Sequence, residues 1–290
     1  MKKICVTGSL HLDVILNTPH LPKIDETVSG TNVNYVFGGK GGNQALSANR
    51  HGAPVYFIGR IGEDAFGQKL IKTLDNGSID ITQLQRDNGN SGMSVAIVDK
   101  KGDYGAVIVS AANLRINEDN LHISKNTGIL LLQNEIPEQV NIAASKKAKK
   151  QDGQIWLNAA PARKMSLELL SQIDVLIMNS VEAEFYAKDL LSEKTSHITK
   201  ILTFGSKGVE IHCPGEKFKS YPAFPVKTYS THGAGDTFIG SLAASRLAGK
   251  NFESALNYAQ AAAALHVSTT IENRSKLSPE DVLRFLQKQI

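Results

Sequence analysis

Ser230-Thr231-His232-Gly233-Ala234-Gly235-Asp236-Thr237-Phe238 reads as a loop that opens a helix. Gly233 to Gly235 can present backbone N–H groups with no side chain in the way. The helix expected after them, Ala234 to Leu247, aims its unpaired N–H groups and the positive end of its dipole at the same point. That combination makes an anion site. Asp236 lies among those donors. Beside a phosphate a carboxylate is repelled unless it has a task there. The fitting task is to take a proton from a hydroxyl as that hydroxyl attacks a phosphoryl group. The plainer reading is an acid in the first turn of an ordinary helix, where it favours the dipole.

Outward from this stretch the chain alternates strand and helix. Strands are expected at Ile129 to Gln133, Gln154 to Asn158, Asp174 to Met178 and from Ile201 into Phe204, and helices at Phe252 to Ser268 and Ser278 to Gln287. Such alternation predicts an α/β fold, a mostly parallel sheet with helices on both faces. Near the start, Lys3 to Thr7 reads as a buried strand ending at Gly8-Ser9. Leu10 to Leu16 then alternates apolar and polar residues, which puts His11 and Asp13 on one face. Those two are either ligand contacts or the exposed side of a half-buried strand. Gly38-Gly39-Lys40-Gly41-Gly42-Asn43 lacks the spacing and the Ser or Thr of a nucleotide P-loop. Met93 to Val98 and Tyr104 to Ser110 predict a hairpin around Lys101-Gly102-Asp103.

Composition narrows the class. The 290 residues are 41% hydrophobic and 21% charged, with a formal charge of +4, as in a globular protein of one large domain. Lys146 to Lys150 reads as the wet face of a helix rather than a nucleic-acid patch. Cys5 and Cys213 have no metal-ligand spacing. With no signal peptide in Met1-Lys2-Lys3-Ile4 and no long apolar run, a cytoplasmic location is expected, with neither membrane nor nucleic acid as partner.

Two motifs carry a family resemblance. Gly233-Ala234-Gly235-Asp236-Thr237-Phe238 resembles the C-terminal signature of the ribokinase-like (PfkB-type) carbohydrate kinases. Phe37-Gly38-Gly39-Lys40-Gly41-Gly42-Asn43-Gln44-Ala45 resembles their N-terminal signature, and further matches run over nearly the whole chain. The resemblance implies a three-layer sandwich with a mostly parallel sheet, plus a small β lid from about residues 12–36 and 93–109, with Thr27-Val28-Ser29 and Asn32 to Val36 as lid strands. It implies ATP-dependent phosphorylation of a sugar hydroxyl, with Asp236 as base and Gly233, Ala234 and Gly235 as the anion hole. His11, Asp13, Gly39, Lys40, Asn43 and Glu135 would orient the sugar. Asn179, Thr203, Gly205 and Gly208 would hold ATP, and Glu182 would steer Mg²⁺. Asn179 and Glu182 also fit a helix N-cap with its matching first-turn acid. A homodimer through the lid follows from the same likeness.

The chain departs from the pattern at two places. His11 stands where ribokinases carry Asn, which weakens the case for ribose itself. Ser230 replaces an Asp that helps hold a monovalent cation, and the glycine pattern near 271–275 is missing, so weak or absent activation by potassium is expected. Two rivals remain open: a nucleoside kinase, with Tyr35, Phe37 and Met93 against a base, and a sugar or nucleotide sensor without turnover.

Overall fold

The computed structural model describes residues 1–188 and 195–289. Nine strands form the main sheet: β1 (Lys3–Thr7), β4 (Val55–Gly62), β5 (Asp80–Asp87), β8 (Thr127–Gln133), β9 (Gln154–Asn158), β10 (Val175–Asn179), β11 (Thr199–Thr203), β12 (Val209–His212) and β13 (Lys219–Tyr221). Their order is β13-β12-β11-β10-β9-β8-β1-β4-β5. Every neighbouring pair is parallel except β11–β12 and β12–β13 at one edge.

The central strands are apolar on both sides because both sides are covered. Leu131 and Trp156 pack with one core, while Leu130, Leu132, Ile155 and Leu157 pack with the other. The first core is closed by α1 (Lys40–Arg50), α2 (Ala65–Asn76), α6 (Ala234–Leu247) and α7 (Phe252–Ser268). The second is closed by α3 (Glu138–Lys149), α4 (Leu167–Leu170) and α5 (Ser180–Tyr186). A last helix, α8 (Pro279–Gln287), leans on α7 through Val282. This is the expected three-layer α/β arrangement. None of the described helices is long and apolar enough to cross a membrane.

The lid is a separate four-stranded sheet of β2 (His11–Asn17), β3 (Asn32–Gly38), β6 (Met93–Val98) and β7 (Tyr104–Val109), in the order β3-β2-β6-β7. Its outer pairs are antiparallel and β2–β6 is parallel. The β6–β7 turn has Gly102 at φ +89°, and Asp99 accepts from the N–H groups of Lys101 and Asp103. Thr27 to Ser29 form no strand; they lie in a largely exposed loop between Pro22 and Gly30, with no strand edge beside them. β5 was not foreseen, since only Leu84 and Asp87 of it are buried and its residues are mostly polar. Asp64 caps α2, accepting from Gly67 N and from Ser91 N and Oγ, so the Gly62 to Gly67 segment is packing. Of the lysine cluster, Lys146 pairs with Glu168 and Lys149 with Asp174 on the helix surface.

Candidate active site

α6 starts at Gly233, whose φ of +75° places it in the left-handed region and suits a residue without Cβ. At this end the N–H groups of Gly233, Gly235 and Asp236 find no hydrogen-bond partner among the described residues. The N–H of Ala234 is engaged, donating to Thr231 O at 3.1 Å. Of the three donors expected from the sequence, Ala234 is therefore spent on closing the loop, and Asp236 N stands free in addition. A Cβ built on Gly235 would meet nothing within 4 Å, so a ligand has room against this turn.

The Asp236 carboxylate is held by amides from α1. Gln44 Nε2 donates to Oδ1 at 3.0 Å and Asn43 Nδ2 to Oδ2 at 3.3 Å. Gln133 Nε2 in turn donates to Gln44 Oε1 at 2.9 Å, so the carboxylate is oriented from β8 through α1. Burial pushes its pKa up; the Lys40 charge and the Gln44 amide pull it down, Glu135 pushes up again, and the net shift is upward. Gln44 and Gln133 were missed by sequence reading. The signal that could have found them is a long amide set in an apolar stretch, Gln44 on α1 and Gln133 at the end of β8, since a buried amide needs hydrogen-bond partners.

Lys40, Asn179, Glu182, Gly235 and Asp236 line one cavity of about 170 Å³. Lys40, expected among the sugar contacts, thus shares a cavity with Asp236, while its backbone N–H donates to Glu135 Oε2 at 2.9 Å. Glu182, 8% exposed, accepts from Asn179 N at 2.6 Å and Asn179 Nδ2 at 2.9 Å, completing a capping box on α5. The cap and the cavity-lining position hold at once. Asn158, at the end of β9, joins the same cavity. A second cavity of about 630 Å³ opens beside it over Thr203, Gly205, Gly208, Phe224, Val267 and Gly235. Its size and mostly apolar walls suit a nucleotide base and ribose.

Of the residues expected to orient a sugar, His11 and Asp13 lie on β2 of the lid sheet. His11 begins β2, is 4% exposed, and leaves Nε2 buried without a partner. Burial depresses its pKa, with Glu135 and Asp13 acting against that and Lys40 with it. A neutral ring with an unspent nitrogen is a hydrogen-bond partner in waiting. Asp13 accepts from Ser94 Oγ at 2.5 Å. Gly39 has φ +88°, and a Cβ there would lie 2.8 Å from Ser9 O and His11 N. The glycine run therefore packs α1 closely against the chain's own Gly8 to His11 loop. Tyr35 turns to Phe66 (6.3 Å between ring centroids) and Lys69 (4.0 Å from its Nζ), and Phe37 packs into the first core. Phe37 is thus spent on the core, while Tyr35 stays half exposed.

The monovalent-cation site has a different tenant. Arg274 donates to the carbonyls of Ser230, His232 and Thr269. With these acceptors taken and no Asp at 230, the residues do not fit a bound ion.

The pfkB family carbohydrate kinase model matches residues 1–276. The chain belongs to this family of carbohydrate kinases. The ribokinase of Haemophilus influenzae is 33% identical, with 99% of each chain covered. That of Bacillus subtilis is 34% identical over 92% of this chain and 93% of its own. Among solved structures, Arabidopsis thaliana ribokinase complexed with ribose and ATP superposes with a TM-score of 0.91 at 30% identity, covering 99% of both chains.

Proposed function

We propose that this carbohydrate kinase transfers the γ-phosphoryl group of ATP to a hydroxyl of a small sugar, with Asp236 as general base. The observation that carries the reading is the Asp236 carboxylate itself. It is oriented by two amides, held more basic than usual, and set at a helix N-terminus with free N–H groups and open space in front. Asp236 takes the proton of the sugar hydroxyl as its oxygen bonds to the γ-phosphorus. The bond from that phosphorus to the bridging oxygen breaks, and ADP leaves. The N–H groups of Gly233, Gly235 and Asp236 and the Lys40 ammonium face the charge that gathers on the transferred oxygens.

ATP belongs with its base over Thr203, Gly205 and Gly208 and its phosphates toward Asn179. When bound, Mg²⁺ supplies charge neutralisation between phosphate oxygens. Glu182 is the residue placed to steer it, through water, because both its oxygens already accept from Asn179. His11, Asp13, Gly39, Asn43 and Glu135 are assigned to the sugar. We read residues 1–290 as one kinase domain acting in the cytoplasm as a homodimer through the lid.

The test is ADP release from Mg-ATP across pentoses, hexoses and nucleosides. Turnover on a sugar, lost on the order of 10²–10⁴-fold in Asp236→Asn, supports the reading. Near-full turnover in Asp236→Asn sinks the mechanism, and activity confined to nucleosides moves the substrate.

A further inference from the structure

Arg274 lies in the 3-10 turn Ile271–Lys276, which follows α7, and is 8% exposed. Among the described residues no carboxylate comes within ion-pair distance of it. Each of its three nitrogens donates to a backbone carbonyl instead: Nη2 to Ser230 O at 2.7 Å, Nη1 to His232 O at 3.0 Å and Nε to Thr269 O at 3.2 Å. A buried guanidinium without a counter-ion is costly to keep, so the arrangement calls for a reason beyond filling space.

The reason lies in which carbonyls it holds. The His232 carbonyl and the Gly233 N–H belong to one planar trans peptide unit and point in opposite directions. Fixing that oxygen aims the Gly233 N–H away from Arg274, toward the open end of α6. The same oxygen also accepts from His266 Nε2 at 2.8 Å. Burial holds the pKa of His266 down at about 4, so the ring is neutral at working pH. With Nε2 as the donor, Nδ1 is left to accept from Thr237 Oγ1 at 3.1 Å. Both lone pairs of the His232 oxygen are thus used. The segment that delivers the anion hole is clamped from both sides.

We propose that Arg274 is a built-in cation that positions the phosphoryl anion hole, taking the place of a freely exchanging monovalent ion. Converging backbone carbonyls are the donor set a potassium ion would take. Here a covalently attached charge occupies it and adds positive potential at the start of α6. The fork geometry matters, because a lysine ammonium cannot reach three divergent acceptors in one plane. This inference rests on the kinase reading, in which Gly233 to Asp236 receive the transferred phosphoryl group.

The test begins with the wild-type enzyme, turning over its best sugar with and without 100 mM K⁺, at ionic strength fixed with a tetraalkylammonium salt. Turnover equal within about twofold is expected, whereas a manyfold rise with K⁺ overturns the proposal. Absence of any sugar turnover would count against the kinase reading instead. In Arg274→Ala, kcat is expected to fall about 10- to 100-fold through misplacement of the hole, with the sugar KM within about threefold. Millimolar guanidinium or K⁺ is expected to restore at least a third of the lost rate. Arg274→Lys is expected to lose part of kcat and gain little from added K⁺. A readout free of turnover is the melting temperature, which K⁺ should raise in Arg274→Ala and leave unmoved in the wild type. A variant that melts lower but keeps wild-type kcat, or one that no cation rescues in either assay, overturns the positioning role. Should Arg274→Ala fail to fold, the wild-type salt series and Arg274→Lys decide between the same outcomes.

Discussion

In the proposed mechanism Asp236 can act as a base only while it is ionised. Burial raises its pKa above the ordinary carboxylate value, so protonation sets in at a higher pH than for an exposed Asp. The acid limb of kcat is therefore expected to lie higher than an exposed Asp would set it, with activity falling as pH drops through it. Gln44→Ala removes the 3.0 Å amide donor that favours the charged form, and is expected to move that limb further up; a pH–rate profile checks both. The unspent Nε2 of His11 predicts a binding role. His11→Ala is expected to raise the sugar KM about 3- to 10-fold, the worth of one net hydrogen bond, with a smaller change in kcat, read from initial rates at saturating ATP. At this scale the sequence was legible where a motif was legible: Asp236, Asn43 and Glu182 all face the site from the stretches that pointed to them. Gln44, Gln133 and Arg274 were not, because each acts on a group far away in the chain, and nothing local to a residue shows its partner.

The α1–α6 pair carries the site. Ser47 Oγ donates to Thr237 O at 2.9 Å, and a Cβ on Gly240 would lie 2.5 Å from Ser47 Cβ and 2.7 Å from Ala48 N. The two helices touch backbone to backbone, which is what brings Asn43 and Gln44 within reach of Asp236. Gly240→Ala gains about 1 kcal/mol of helix propensity. The clash is with Ser47 Cβ and the Ala48 backbone N, however, and no rotamer change moves either, so the upper part of an overpacking cost of about 1–3 kcal/mol is expected to win. Urea denaturation should show net destabilisation, and kcat should fall with it as α6 shifts from the amides. Helix boundaries were readable from sequence, and Ala234–Leu247 and Phe252–Ser268 form over the spans expected. β5 and the loop at Thr27 to Ser29 were not, because strand formation depends on a neighbouring edge rather than on the strand's own residues.

Over the whole molecule, the lid is the least covered part. Every residue of β7 is exposed, with Tyr104 at 70% and Val107 at 67%, and Tyr35 and Val33 add to the apolar surface. An exposed apolar surface of this extent calls for a cover, and a second copy of the lid is the expected one. Light scattering should give a dimer, and Val107→Asp should shift it toward monomer with loss of sugar affinity. A wild-type monomer at working concentration would remove this expectation.

By itself the sequence determined the kind of chemistry and the class of fold. Strand–helix alternation, a glycine-flanked acid at a helix start and capping residues are local patterns, and local patterns act through the backbone next to them. The tertiary structure alone decided which groups tune that acid and what occupies the carbonyls behind the anion hole. Gln44 reaches Asp236 across 192 residues of chain and Arg274 reaches Ser230 from beyond α7. Hydrogen bonds and charges act over a few ångströms of space, however far apart the residues lie along the chain.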